Sequence, residues 1–268
     1  MPFLHFADIS LHYEMRGDGP PLLVITGTNG DLRRKPSVLD SPLVQHFSVL
    51  AYDQRGLGQS SKPDRPYSMA DYGNDAAAVM DAIGWRSAPV LAFSFGGMVA
   101  QEFALRHPGK VKRLALACTS PGGRGGASYP LHEIATLSPA ERARHLLPLQ
   151  DARCDAAWIA ANPERAEALM DAIIARARPV DPSHPDVAMG ARRQLEARAR
   201  HDAFDRLPRL AMPVAIFAGR YDRVAAPAAQ EAMQRQIRGA RLRFFEGGHL
   251  FYMQDPPAYP AMIEFLAG

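Results

Sequence analysis

The feature that most restricts the fold is a series of short, almost continuously apolar segments interleaved with stretches of helical periodicity. "LLVIT" (22–26), "FSVLAYD" (47–53), "APVLAF" (88–93), "VKRLALACT" (111–119) and "PVAIFAG" (213–219) are each too short for a buried helix and apolar on both faces. Strands of that kind need cover on both sides. Helical patterns such as "MADYGNDAAAVMDAIGW" and "GGMVAQEFALRHPG" supply it. The expectation is an α/β fold with a mostly parallel, doubly wound sheet. The opening "LHFADISLHYEMRGDGP" alternates apolar and polar residues and ends in a Gly/Pro turn, so an antiparallel edge is expected there.

Residues 120 to 207 interrupt the alternation. They are rich in Ala, Arg and Glu, hold no strong strand pattern, and contain helix starts at "SPAERARHLLPL" and "NPERAEALMDAIIARA". The expected organisation is a core of 1–119 and 208–268 with a helical cap of 120–207. Such an insertion would lie over the carboxyl ends of the strands, where open α/β sheets bind ligands.

Composition narrows the partners. With 31 basic and 28 acidic residues the net charge is only +3, and no run of like charge forms a basic stripe. Nucleic acid is not an expected partner. No stretch reaches the roughly 18 apolar residues of a membrane span, and the N-terminus lacks the pattern of a signal peptide. Cys118 and Cys154 have no metal-ligand or redox spacing. A cytoplasmic protein with no membrane partner and no metal is expected, acting on a small molecule.

The chemistry is expected at "AFSFGG". Ser94 stands between an apolar strand and a helix, with small residues Ala92 and Gly96 two positions to either side. A sharp turn there would crowd bulky neighbours and lift the hydroxyl above the sheet. A serine at this point can also be a simple helix cap. A serine nucleophile needs a base, itself oriented by an acid. His249 follows the last strand in "FFEGGHLFYMQDP", and Asp222 follows a strand in "FAGRYDRVAAP". Three such residues at three strand ends, in the order Ser, Asp, His, match a known triad arrangement.

These segments together resemble the α/β-hydrolase family, and the resemblance covers essentially the whole chain. "PPLLVITGTNG" resembles the family's oxyanion loop, "YDQRGLGQSS" its D-x-R-G-x-G-x-S loop, and the segments around Ser94, Asp222 and His249 its nucleophile, acid and base. Two positions depart from the pattern: Thr26 where the family often has His, and Ala92 where it often has Gly. The resemblance implies backbone oxyanion donors at Thr28 and Phe95, and a structural role for the Asp53–Gly58 loop. Phe93, Leu250 and Phe251 flank the catalytic groups and are expected to line an acyl pocket. The implied activity is hydrolysis of a carboxylic ester, lactone or thioester, a small-molecule substrate with an acyl group, through an acyl-enzyme and with no cofactor. A cofactor-free carbon–carbon hydrolase, a perhydrolase or a lyase with the same triad is the alternative, and a non-catalytic ligand receptor a further one. Serine at the turn excludes the relatives that place Asp there to form an alkyl ester.

Overall fold

A computed structural model describes residues 2–6 and 8–268. Eight strands form one sheet: β1 (Phe3–Phe6), β2 (Ile9–Arg16), β3 (Pro21–Ile25), β4 (Ser48–Tyr52), β5 (Ala88–Phe93), β6 (Val111–Ala117), β7 (Val214–Gly219) and β8 (Arg241–Phe245). Their spatial order is β1-β2-β4-β3-β5-β6-β7-β8. β1 pairs antiparallel with β2, and β2 with β4; every pairing from β4 to β8 is parallel.

Successive strand residues point to opposite faces, and the central strands use both. Leu23, Ile25, Val90, Ala92, Leu114 and Leu116 belong to one buried cluster, which includes Tyr72 and Met80 of α1 (Met69–Ala82), Phe103 of α2 (Phe95–Arg106) and Met233 of α7 (Pro227–Gln236). Leu22, Val24, Leu91, Phe93, Ala115 and Ala117 belong to a second, closed by Met262 and Leu266 of α9 (Ala258–Ala267). This is the physical reason for runs without polar alternation. β8 is an edge strand, and its "RLRFF" alternates because one side meets solvent.

Between β6 and β7 lie α3 (Pro139–Gln150), α4 (Ala156–Ala161), α5 (Pro163–Ala177) and α6 (Val187–Ala199). Ser138 and Glu141 close α3 with a reciprocal capping box. α3, α4 and α5 share a small core of their own around Ala143, Leu147, Ala166 and Ile173, with Trp158 against it. The insertion meets the sheet at the carboxyl ends of its strands. Arg223 N–H donates to Leu149 O at 2.9 Å, His249 N–H to Gln150 O at 2.6 Å, and Ala152 N–H to Tyr221 O at 2.8 Å. Helix α8 (Phe251–Gln254) follows the last strand directly after that junction. Among the described residues no helix is long and apolar enough to cross a membrane.

Candidate active site

β5 ends at Phe93 and α2 begins at Phe95, so one residue, Ser94, makes the whole turn. Its backbone sits at φ 52°, ψ −119°, a strained conformation for a residue with a side chain. Two hydrogen bonds hold it there: Ser94 N–H donates to Ala117 O and Gly97 N–H to Ser94 O, each at 2.9 Å. Gly96 allows the turn to sit against β3. A methyl group there would lie 2.5 Å from the carbonyl oxygen of Thr26 and nearer still to that of Ile25. The Ser94 side chain makes no capping bond to α2. Its hydroxyl faces His249 instead, 2.9 Å from Nε2.

His249 Nδ1 lies 2.8 Å from Asp222 Oδ2, and both residues are buried. With Asp222 ionised, the chain is satisfied when Nδ1–H donates to Oδ2 and Nε2 accepts from the serine hydroxyl. The other carboxylate oxygen, Oδ1, accepts from Val224 N–H at 2.7 Å and Ala225 N–H at 2.9 Å. Asp222 therefore cannot rotate without breaking two backbone bonds. Gly248 is small for a different reason than Gly96: a side chain would strike the Gln150 carbonyl and come within 2.8 Å of Asp151 Cα. The α3 terminus and the His249 loop pass too closely for anything larger.

The N–H groups of Phe95 and Thr28 have no protein acceptor among the described residues. The loop that carries Thr28 is braced from three sides. Gln54 Nε2 donates to Thr26 O at 2.8 Å, Leu32 N–H donates to Asp53 Oδ1 at 2.8 Å, and Asn29 N–H donates to Gln194 Oε1 at 3.0 Å. Replacing the family's usual histidine by Thr26 thus leaves the loop anchored. Asp53 also takes Gln59 N–H at 2.9 Å, while Arg55 grips Asp75 through two buried bonds of 2.7 Å. Burial pushes the Asp75 carboxyl up to about 6, even with Arg55 beside it. Asp53 and Arg55 are both buried in these contacts.

The three expected pocket residues separate, and two of them need correcting. Phe251 has no exposed surface and stacks on Phe245, ring centres 5.1 Å apart and 10° from parallel. Phe93 is 4% exposed and packs on Tyr252 at 4.6 Å. Both belong to the core beneath the site, because alternation turns Phe93 away from the face that carries Ala92 and because α8 folds back onto β8. Leu250 lines a cavity of about 640 Å³ with Leu147, Cys154 and Ile173 of the insertion, whose walls include neither Ser94 nor His249. A second cavity of about 540 Å³ opens beside Asn29 and Gly30, the continuation of the Thr28 loop. Its far wall is α6, through Val187, Ala191 and Leu195. The sequence offered no signal for Gln54, Gln150 or Gln194: a glutamine in a loop or on a polar helix looks like any solvated residue. The 0% exposure of Gln54 and Gln194 is a tertiary fact.

Comparison with known proteins identifies the family of the fold. The family description "alpha/beta hydrolase fold" matches residues 20–256. A 3-oxoadipate enol-lactonase of Acinetobacter baylyi is 25% identical over 98% of this chain and 97% of its own. A 2-hydroxymuconate semialdehyde hydrolase of Pseudomonas putida is 36% identical over 118 residues, and the match spans 40% of its length. The crystal structure of the enol-lactonase from Burkholderia xenovorans LB400 superposes with a TM-score of 0.78 at 25% identity, over the full length of both chains. On its sequence pattern, its sheet and these matches, the chain belongs to the alpha/beta hydrolase fold family and is a hydrolase of it.

Proposed function

We propose that this hydrolase cleaves a carboxylic ester, a cyclic ester included, through an acyl-enzyme on Ser94. One observation carries the reading: Ser94, held at a positive φ on a one-residue turn and free of any capping duty, shares a hydrogen-bonded chain with His249 and Asp222. In this reading Ser94 Oγ attacks the scissile carbonyl carbon as its proton passes to His249 Nε2. Asp222 keeps the imidazole in the tautomer that can accept it and stabilises the cation that forms. The carbonyl oxygen, now an oxyanion, takes the free N–H groups of Thr28 and Phe95. His249 returns the proton to the departing alkoxide, water then attacks the acyl-enzyme, and the same three groups act in reverse order. No metal or organic cofactor takes part in these steps.

The helical insertion, residues 120–207, acts as a lid and specificity filter over the 1–119 and 208–268 core. The apolar walls that α6 and α3 lend to the two cavities support this role. Cys118 and Cys154, both free and buried, fit work in the cytoplasm. An organophosphonate tests the nucleophile. One adduct is expected on the peptide containing Ser94, lost in both Ser94→Ala and His249→Ala, together with turnover of p-nitrophenyl esters. Folded protein that takes no adduct would overturn the reading.

A further inference from the structure

Arg198 of α6 is 5% exposed. Its Nη1 donates to Tyr129 O at 2.7 Å, while Nε is buried with no partner. Burial alone acts on this guanidinium, and with no carboxylate to offset it the group is pushed down to about 10. A buried cation without a counter-ion is costly, and natural proteins avoid one unless a ligand completes it.

The surroundings of Arg198 share the same deficiency. Gln194, one turn earlier on α6, gives Oε1 to Asn29 N–H but leaves Nε2 unpaired. His201, three residues later, is buried beside Arg198, with the Ser120 backbone as its one hydrogen-bonding neighbour. Thr28 Oγ1 and Ser120 Oγ are buried and unpaired. These groups come from loops on both sides of the serine. Thr28 follows β3 and Ser120 follows β6, the two neighbours of β5. The Ser120 loop runs against the His201 segment, where Gly122 bridges Asp202 and Ala203 N–H donates to Pro121 O at 2.9 Å. Tyr129, which receives Arg198, donates its own N–H to Val224 O, two residues past Asp222. Arg198 is thus bracketed between the loop of Thr28 and the loop of Asp222.

The cavity on the neighbouring part of α6 is cationic as well. Val187, Ala191, Gln194 and Arg198 follow the i, i+4, i+7, i+11 spacing of one helix face, and the first two line the 540 Å³ cavity. That cavity carries Arg33, Arg34, Lys62, Arg142, Arg178 and Arg192 against three carboxylates, Asp31, Asp181 and Glu196. Arg34 binds only backbone carbonyls, of Ala175 and Arg178. Lys62 likewise binds only those of Gly58 and Ser60. Arg33 and Arg192 are paired with Asp31 and Glu196, and the remaining excess of cations favours ligands of negative charge.

We propose that Arg198 binds a carboxylate carried by the substrate, so that the ester cleaved at Ser94 belongs to an acid with a second, ionised carboxyl group. The inference rests on the ester-hydrolase reading above. Mono-p-nitrophenyl esters of succinate, glutarate and adipate, each against a neutral branched isostere, test it. For at least one length the wild type is expected to prefer the half-ester at least tenfold in kcat/KM, the range of a charge-assisted hydrogen bond. Arg198→Met should reduce that half-ester-to-isostere ratio at least tenfold, through KM, and Arg198→Lys should keep part of it. A guanidinium that only supports Tyr129 would lower both substrates alike and leave the ratio standing, which overturns the proposal. Should Arg198→Met fail to fold, wild-type inhibition decides: the free dicarboxylate is expected to bind at least tenfold tighter than its neutral-ended monocarboxylate isostere, and equal inhibition overturns it. Neutral esters hydrolysed without preference would refute this inference alone. No ester hydrolysed and no phosphonate adduct would refute the reading beneath it.

Discussion

Replacing Gly96 by Ala tests whether the contact between the start of α2 and the end of β3 sets the catalytic geometry. The added methyl carbon would stand 2.5 Å from Thr26 O, with Ile25 O closer. Ordinary van der Waals contact begins near 3.4 Å, so the two backbones must separate by about 1 Å. The backbone that has to move carries Phe95 N–H on one side and leads to Thr28 N–H on the other. A displacement of about 1 Å between catalytic groups lowers rate by about 10²-fold, equivalent to about 2.7 kcal/mol of transition-state stabilisation. Overpacking a tight site also destabilises the fold by about 1–3 kcal/mol, or roughly 5 °C in Tm for a chain of this size. Steady-state kinetics on a p-nitrophenyl ester and a thermal melt measure both. The fall should lie in kcat, because the oxyanion forms only in the transition state. Gly109→Ala, with nothing within 4 Å of the new methyl group, is the control. Wild-type kcat in a Gly96→Ala protein, with or without a lower Tm, would show that the strain relaxes elsewhere and refute the argument.

Asp222→Asn should keep the Val224 and Ala225 N–H bonds through its remaining oxygen while presenting an amide to His249 Nδ1; kcat should fall by up to about 10⁴-fold with little change in melting temperature. His201 is buried, and that burial holds its imidazole down to about 3, so it stays neutral in the folded chain. The unfolded chain binds the extra proton between about pH 6.5 and pH 3, so stability must drop as pH falls through that window. From pH 7 to pH 5 this amounts to about 2 kcal/mol. His201→Gln should remove that part of the slope in urea unfolding, and an unchanged slope would mean the ring titrates normally. Replacing residues 122–205 by a short linker removes the Leu149 and Gln150 carbonyls that hold Arg223 and His249. The expected result is a fall in kcat for every ester. Circular dichroism would confirm the fold, and unchanged kcat would show that the acid and base loops hold themselves.

The sheet was legible because its cause is local. Strands buried on both faces must be apolar throughout, and each one read from the sequence lies in the sheet. Ser94, Asp222 and His249 could be selected for a similar reason: each stands within four residues of a strand's carboxyl end, and a parallel sheet brings all its carboxyl ends to one edge. What a strand end does not reveal is the direction of the chain beyond it. Phe251 reads as a pocket residue until α8 turns it onto Phe245. Arg198 reads as one solvated arginine among many until the fold of the insertion buries it without a carboxylate. Gln150 matters only through its carbonyl oxygen, which every residue type possesses and no sequence pattern marks. Periodicity and turn chemistry act over a few residues and can be read in order along the chain. The contacts between the insertion and the strand ends join residues up to 165 positions apart, and only the packed tertiary structure decides them.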